Sequence, residues 1–156
     1  MRLRTIVLVM ASLLAGCKKE MNPLTPNDQL PLTVKVENDS LIYSFTLPKS
    51  DYFPGDSLNA LFAIENRTNH VITFTFDSSD FYYSVINDSS RVIMSYPKQF
   101  TAHGFFAALP NGGCGFAIPD QLHDDFNIPI HAGLYHVSGR LEDPAAPTLT
   151  LEFRVK

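Results

Sequence analysis

The side chains that could do chemistry are few and widely spaced. His103, His123, His131 and His136, with Asp120, Asp124 and Asp125, are the types that hold metals or move protons. A site built on a short motif needs H-x-x-x-H, C-x-x-C or the alternating oxygens of a calcium loop, and none of these spacings occurs. His131 and His136 are five positions apart, which on a single strand puts them on opposite faces. Asp124 and Asp125 are adjacent and diverge in extended chain, whereas glycosidase carboxylates sit about 5 to 9.5 Å apart across a cleft; solvation of a loop is their expected role. An activated serine would show a G-x-S-x-G elbow and a phosphate site a glycine-rich loop, and both are absent. Cys114 follows Asn111-Gly112-Gly113 without the His or Asp of a thiol enzyme, so a small, half-buried thiol is expected. These residues predict no catalysis, no metal site and no cofactor.

The remaining candidates are aromatic. Phe100, Phe105 and Phe106 lie with Phe116 among glycines in the stretch from Pro97 to Phe116, the longest that departs from two-residue alternation. A loop that combines glycines with rigid rings suits contact with a protein partner, and Phe100, Phe105 and Phe106 are the candidate contact residues. The competing role is structural, with two or three of these rings closing one end of the core.

The N-terminus carries an address. Arg2 and Arg4 precede ten uncharged residues, Thr5 to Leu14, a run below the roughly 18 that span a bilayer and typical of a signal peptide. Leu14-Ala15-Gly16-Cys17 resembles the bacterial lipobox, which implies cleavage before Cys17 and acylation of its thiol. Several acyl chains on one residue give stable anchoring, at about 0.8 kcal/mol per buried methylene. Residues 1–16 are thus read as a lipoprotein signal peptide and 17–30, with their prolines and no hydrophobic period, as the lipidated cysteine and a flexible tether. That tether reaches on the order of 20 Å as a coil and about 45 Å extended. With Cys17 acylated, Cys114 has no intrachain disulfide partner. Lys18 stands where some bacteria use Asp for inner-membrane retention, which favours the outer membrane.

Residues 31–156 then form one domain. With 12 Phe and 6 Tyr against 18% charged residues, the chain is too aromatic and too sparsely charged to stay disordered. The net charge of −4 becomes −6 after the leader, which excludes nucleic acid as a partner. Apolar residues recur at every second position in eight runs: Leu32–Val36, Leu41–Leu47, Leu58–Ile64, Ile72–Phe76, Phe81–Val85, Val92–Tyr96, Tyr135–Leu141 and Leu149–Val155. Turn signals separate them, among them Pro54-Gly55-Asp56, Asn87-Asp88-Ser89-Ser90 and Asp143-Pro144. No window holds a helical period. The pattern predicts an all-β, immunoglobulin-like antiparallel β-sandwich of about eight strands.

His131-Ala132-Gly133-Leu134-Tyr135-His136-Val137 resembles the D-x-G-x-Y-x-C tyrosine corner of immunoglobulin-type domains, with Val137 in the place of the cysteine. That places Tyr135 inside, its hydroxyl returned to backbone a few residues upstream. Over a longer span, Leu61 to Leu141 resembles the BsuPI-type intracellular proteinase inhibitor domain. The residues that carry this are Leu61 to Phe76, Ser79-Asp80-Phe81, Val85-Ile86-Asn87-Asp88-Ser89, Phe100, Leu109-Pro110-Asn111-Gly112, Phe116 and Gly133 to Gly139. The family tends to have an acidic residue after the Pro-x-Gly turn and often a Trp, where this chain has Gly113 and no Trp; no inhibitory residue carries over. The resemblance implies a sandwich that binds a protein, with a protease as the partner. The expected function is a non-catalytic lipoprotein of the bacterial cell envelope, held in the membrane through Cys17, whose sandwich binds a protein partner. The alternatives are a structural or accessory subunit of an envelope assembly and, behind it, a hydrolase or metal-binding protein.

Overall fold

A computed structural model describes residues 30–97, 103–124 and 126–156. Cys17, Phe100 and Asp125 lie outside them. The described chain is all strand and loop. The eleven strands are β1 Leu32–Glu37, β2 Leu41–Leu47, β3 Asp51–Tyr52, β4 Ala60–Asn66, β5 Ile72–Phe76, β6 Phe81–Asn87, β7 Val92–Tyr96, β8 Gly104–Ala108, β9 Gly113–Ile118, β10 Gly133–Leu141 and β11 Leu149–Val155. One sheet has the order β1-β2-β4-β9, a second β3-β11-β10-β6-β7, and β5 pairs with β8 as a separate ribbon. Every pairing between strands is antiparallel except β3 with β11. This is an immunoglobulin-like β-sandwich.

Strict alternation drives the two sheets together. Tyr43, Phe45 and Leu47 of β2 and Phe62 and Ile64 of β4 face Val85 of β6, Val137 of β10 and Phe153 of β11 across one core, while the residues between them meet solvent. One inward position of β10 is empty of side chain. At Gly139 a Cβ would come within 3.1 Å of both the Phe62 and the Phe81 ring, so glycine makes room for the aromatic pair. All eight predicted runs contain a strand, but the run from Leu58 becomes one only at Ala60, because Asn59 takes a left-handed conformation with a φ of 49°.

The stretch from Pro97 to Phe116 was expected to be a loop, and here the structure corrects the reading: Gly104–Ala108 and Gly113–Ile118 are strands. Alternation is present in β9, with Cys114, Phe116 and Ile118 turned towards the interior, but its other positions are Gly113, Gly115 and Ala117. Small residues in place of polar ones flatten the hydropathy period. Their smallness has a cause, because a Cβ at Gly113 would sit 2.8 Å from the Ile64 carbonyl oxygen. The turn between the two strands is Leu109 to Gly112, closed by donation of the Gly112 N–H to the Leu109 carbonyl at 3.0 Å. The two-residue strand β3 is too short to leave a period at all.

Candidate functional site

The β5–β8 ribbon carries two of the three predicted contact residues. Its register sets Ile72 opposite Ala108, Phe74 opposite Phe106, and Thr75 opposite Phe105. Adjacent residues of a strand point to opposite faces, so Phe105 and Phe106 have opposite fates. The Phe106 ring stacks on Phe74 at 4.7 Å and 14° and meets Phe116 edge-on at 5.2 Å. It is partly buried and packs against the core. Phe105 stands 73% exposed on the outer face beside Thr75.

Aromatic packing continues from the ribbon into the sandwich. Phe116 stacks on Phe81 at 5.2 Å and 9°, Phe81 touches Phe62 at 5.1 Å, and Tyr83 stacks on Tyr96 at 5.7 Å. A linked series of rings thus fixes the ribbon relative to both sheets. At Gly104 a Cβ would stand 2.5 Å from the Phe76 ring, so the end of β8 lies flat under that side chain.

A buried amide secures the other end. Asn66 is wholly buried. Its Nδ2 donates to the carbonyls of His70 at 2.8 Å and Ala108 at 2.9 Å, and its Oδ1 accepts from the N–H and hydroxyl of Thr68. It therefore joins the end of β4, the turn after it and the end of β8. In the sequence, Asn66-Arg67-Thr68 reads as an unremarkable turn; the signal that could have identified it is Asn as the last residue of an inward-facing run.

A third tie crosses the sandwich top. Glu142, just after β10, accepts from the backbone N–H groups of Asp77 at 2.7 Å, Ser78 at 3.0 Å and Ser79 at 3.3 Å, and from the Ser78 hydroxyl at 2.9 Å. The Ser78 hydroxyl also bonds Tyr82. Donation from the Ser78 backbone above all, with that of Asp77 and Ser79, holds the Glu142 carboxyl at about 2, well below its ordinary value. This is a carboxylate cradled by consecutive amides.

The predicted corner residue sits as expected. Tyr135 is buried at 6% exposure and donates its hydroxyl to the His131 carbonyl at 2.8 Å, with its ring stacked on Phe153. Burial first, and the Asp88 charge second, push its hydroxyl above the ordinary tyrosine value. Cys114 is half-buried on β9 and burial raises its thiol too.

Of the other polar candidates, Asp120, His123 and Asp124 line one cavity, whereas His103 and His136 pair elsewhere. His103 Nδ1 lies 3.3 Å from Asp77 and His136 Nε2 lies 3.5 Å from Glu152. Asp124 accepts the N–H groups of Phe126 and Ile128 and so shapes its own turn. Among the described residues no three His, Cys, Asp or Glu side chains come together as a metal would require.

No family model matches the chain, and no curated protein matches it. Among solved structures, a β-glucosidase from Listeria innocua in complex with laminaribiose aligns over 81% of this chain and 16% of that one, at 13% identity and a TM-score of 0.41. The same enzyme in complex with glucose gives 12% identity and a TM-score of 0.42 over the same shares. The chain spans 16% of the length of these proteins, and a likeness so distant assigns it neither activity nor substrate.

Proposed function

We propose that this chain is a non-catalytic lipoprotein, anchored at Cys17 in the bacterial envelope and most consistent with the outer membrane, whose sandwich binds a protein partner through the outer face of the β5–β8 ribbon. The observation that carries this reading is the contrast between Phe106, held against Phe74 and Phe116, and Phe105, 73% exposed on the same short strand. An aromatic ring mounted on a braced element offers a large apolar contact with little ordering cost on binding, which is how interface anchors contribute most of their energy. The resemblance to BsuPI-type inhibitors supports a protease as the kind of partner.

Crosslinking in intact cells, followed by mass spectrometry of what the domain captures, tests it. The wild-type chain should capture a defined protein, and Phe105→Ala should lose that capture while melting at the wild-type temperature. A captured protease should be inhibited stoichiometrically by the purified protein. Unchanged capture by Phe105→Ala would remove the ribbon from the interface. Capture of fixed envelope neighbours with no inhibition of a protease would favour the accessory-subunit reading.

A further inference from the structure

Two sheet edges face each other on one side of the sandwich. β7 ends the five-stranded sheet and β9 ends the four-stranded one, and among the described residues each pairs with a single strand. Two adjoining cavities of about 390 and 400 Å³ occupy the gap and share Tyr83, Pro119 and Asp120. Phe116, whose ring bounds the ribbon, also lines this cleft, so the two surfaces meet at one side chain.

The chemistry of the cleft is one-sided. Asp80, Asp120 and Asp124 line it, and among its described lining residues there is no Lys or Arg. Asp124 is engaged in its own turn, and the Asp120 backbone carbonyl accepts the Leu58 N–H, but neither the Asp80 nor the Asp120 carboxylate has a hydrogen bond or ion pair with a described residue. Asp120 is exposed at the mouth of the cleft, and partial burial raises its carboxyl above the ordinary value. His123 Nδ1 is buried here without a hydrogen-bond partner. Beside these groups Tyr83 is 6% exposed, whereas Tyr96, stacked on it, is 42% exposed and presents an aromatic face at the edge.

We propose that this cleft receives an arginine or lysine side chain from an extended segment of a protein partner, which lies along the free edge of β7. The edge supplies backbone donors and acceptors to an added strand. The carboxylates supply charge complementary to the incoming cation, and Tyr96 supplies a ring for it to rest on. This inference rests on the protein-binding reading and names the chemistry of the partner.

The test measures fluorescence anisotropy of the full chain with three labelled ten-residue peptides of strand-forming composition. The first has a central arginine, the second citrulline at that position, and the third the arginine with alternate backbone nitrogens methylated. The arginine peptide should bind saturably, and the other two roughly tenfold or more weaker, the scale of one charge-assisted hydrogen bond. The Asp80→Asn, Asp120→Asn double variant should lose the same factor for the arginine peptide, leave the citrulline peptide unchanged and melt as wild type. Equal binding of the arginine and citrulline peptides, no loss in the double variant, or no binding of any peptide would overturn the proposal. A dimer in sedimentation that the arginine peptide does not dissociate would also overturn it, by showing a second copy on β7. In the crosslinking experiment, capture that persists in the double variant removes the cleft and leaves protein binding standing. No capture by the wild-type chain removes protein binding itself.

Discussion

Tyr135→Phe deletes one hydroxyl and leaves the ring stack with Phe153 in place, so it isolates the bond to the His131 carbonyl. The expected loss is about 0.5–1.5 kcal/mol by equilibrium denaturation. A wild-type midpoint would show that the corner is held by its ring alone. Asn66 is a harsher case because its amide serves four partners from a wholly buried position. Asn66→Ala strands the Ala108 carbonyl without its donor and should cost about 2–4 kcal/mol. Asn66→Asp keeps the shape but replaces the donating end with oxygen, so it should be no milder than alanine at neutral pH. If Asn66→Asp melts as wild type, the assigned orientation of the amide is wrong.

At the scale of elements, the ribbon divides its phenylalanines by face. Phe106→Ala should cost about 3 kcal/mol of stability, since it opens a void between Phe74 and Phe116. Phe105→Ala should stay within about 0.5 kcal/mol of wild type, as exposed substitutions do. Equal losses in the two variants would contradict the register. The Glu142 tie between the β5–β6 turn and the end of β10 is expected to show in the pH dependence of stability. Its folded value of about 2 lies below the ordinary 4.5, so its contribution is complete above about pH 4.5 and fades as pH falls towards 2. Glu142→Gln should therefore melt below wild type at pH 7, and the gap should close on acidification through that window. A gap that is constant from pH 7 to 2 would assign the loss to packing.

At the scale of the whole molecule, anchoring and recognition are separable. Cys17→Ser should release the chain from the membrane fraction or leave it unprocessed, while the purified domain keeps its melting temperature. Normal processing and membrane fractionation of the variant would end the lipoprotein reading. The sandwich itself offers two adjoining surfaces of different character. The ribbon presents an apolar ring, Phe105, and the β7–β9 cleft presents carboxylates beside an exposed tyrosine. A partner that spans both would present an apolar pocket next to a basic extended segment.

The sequence by itself determined the class of fold and the position of Tyr135, because both depend on local periodicity. Alternate apolar residues in runs such as Leu41–Leu47 can bury their side chains only on one face of a sheet. The G-x-Y spacing likewise fixes an inward ring within a few residues of its acceptor. Tertiary structure alone decided what depends on residues far apart in the chain. β8 and β9 are hidden from periodicity because their outward positions hold small or apolar residues, Phe105 and Ala107 in β8 and Gly113, Gly115 and Ala117 in β9. The neighbours that require this at Gly104 and Gly113, Phe76 and Ile64, are set by tertiary pairing. The same holds for Asn66 with Ala108, for Glu142 with Ser78 and for the gap between β7 and β9. Hydropathy along a strand records which face is buried, but not which edge is left without a neighbour, and it is the edge of β7, unpaired among the described residues, that borders the acidic cleft.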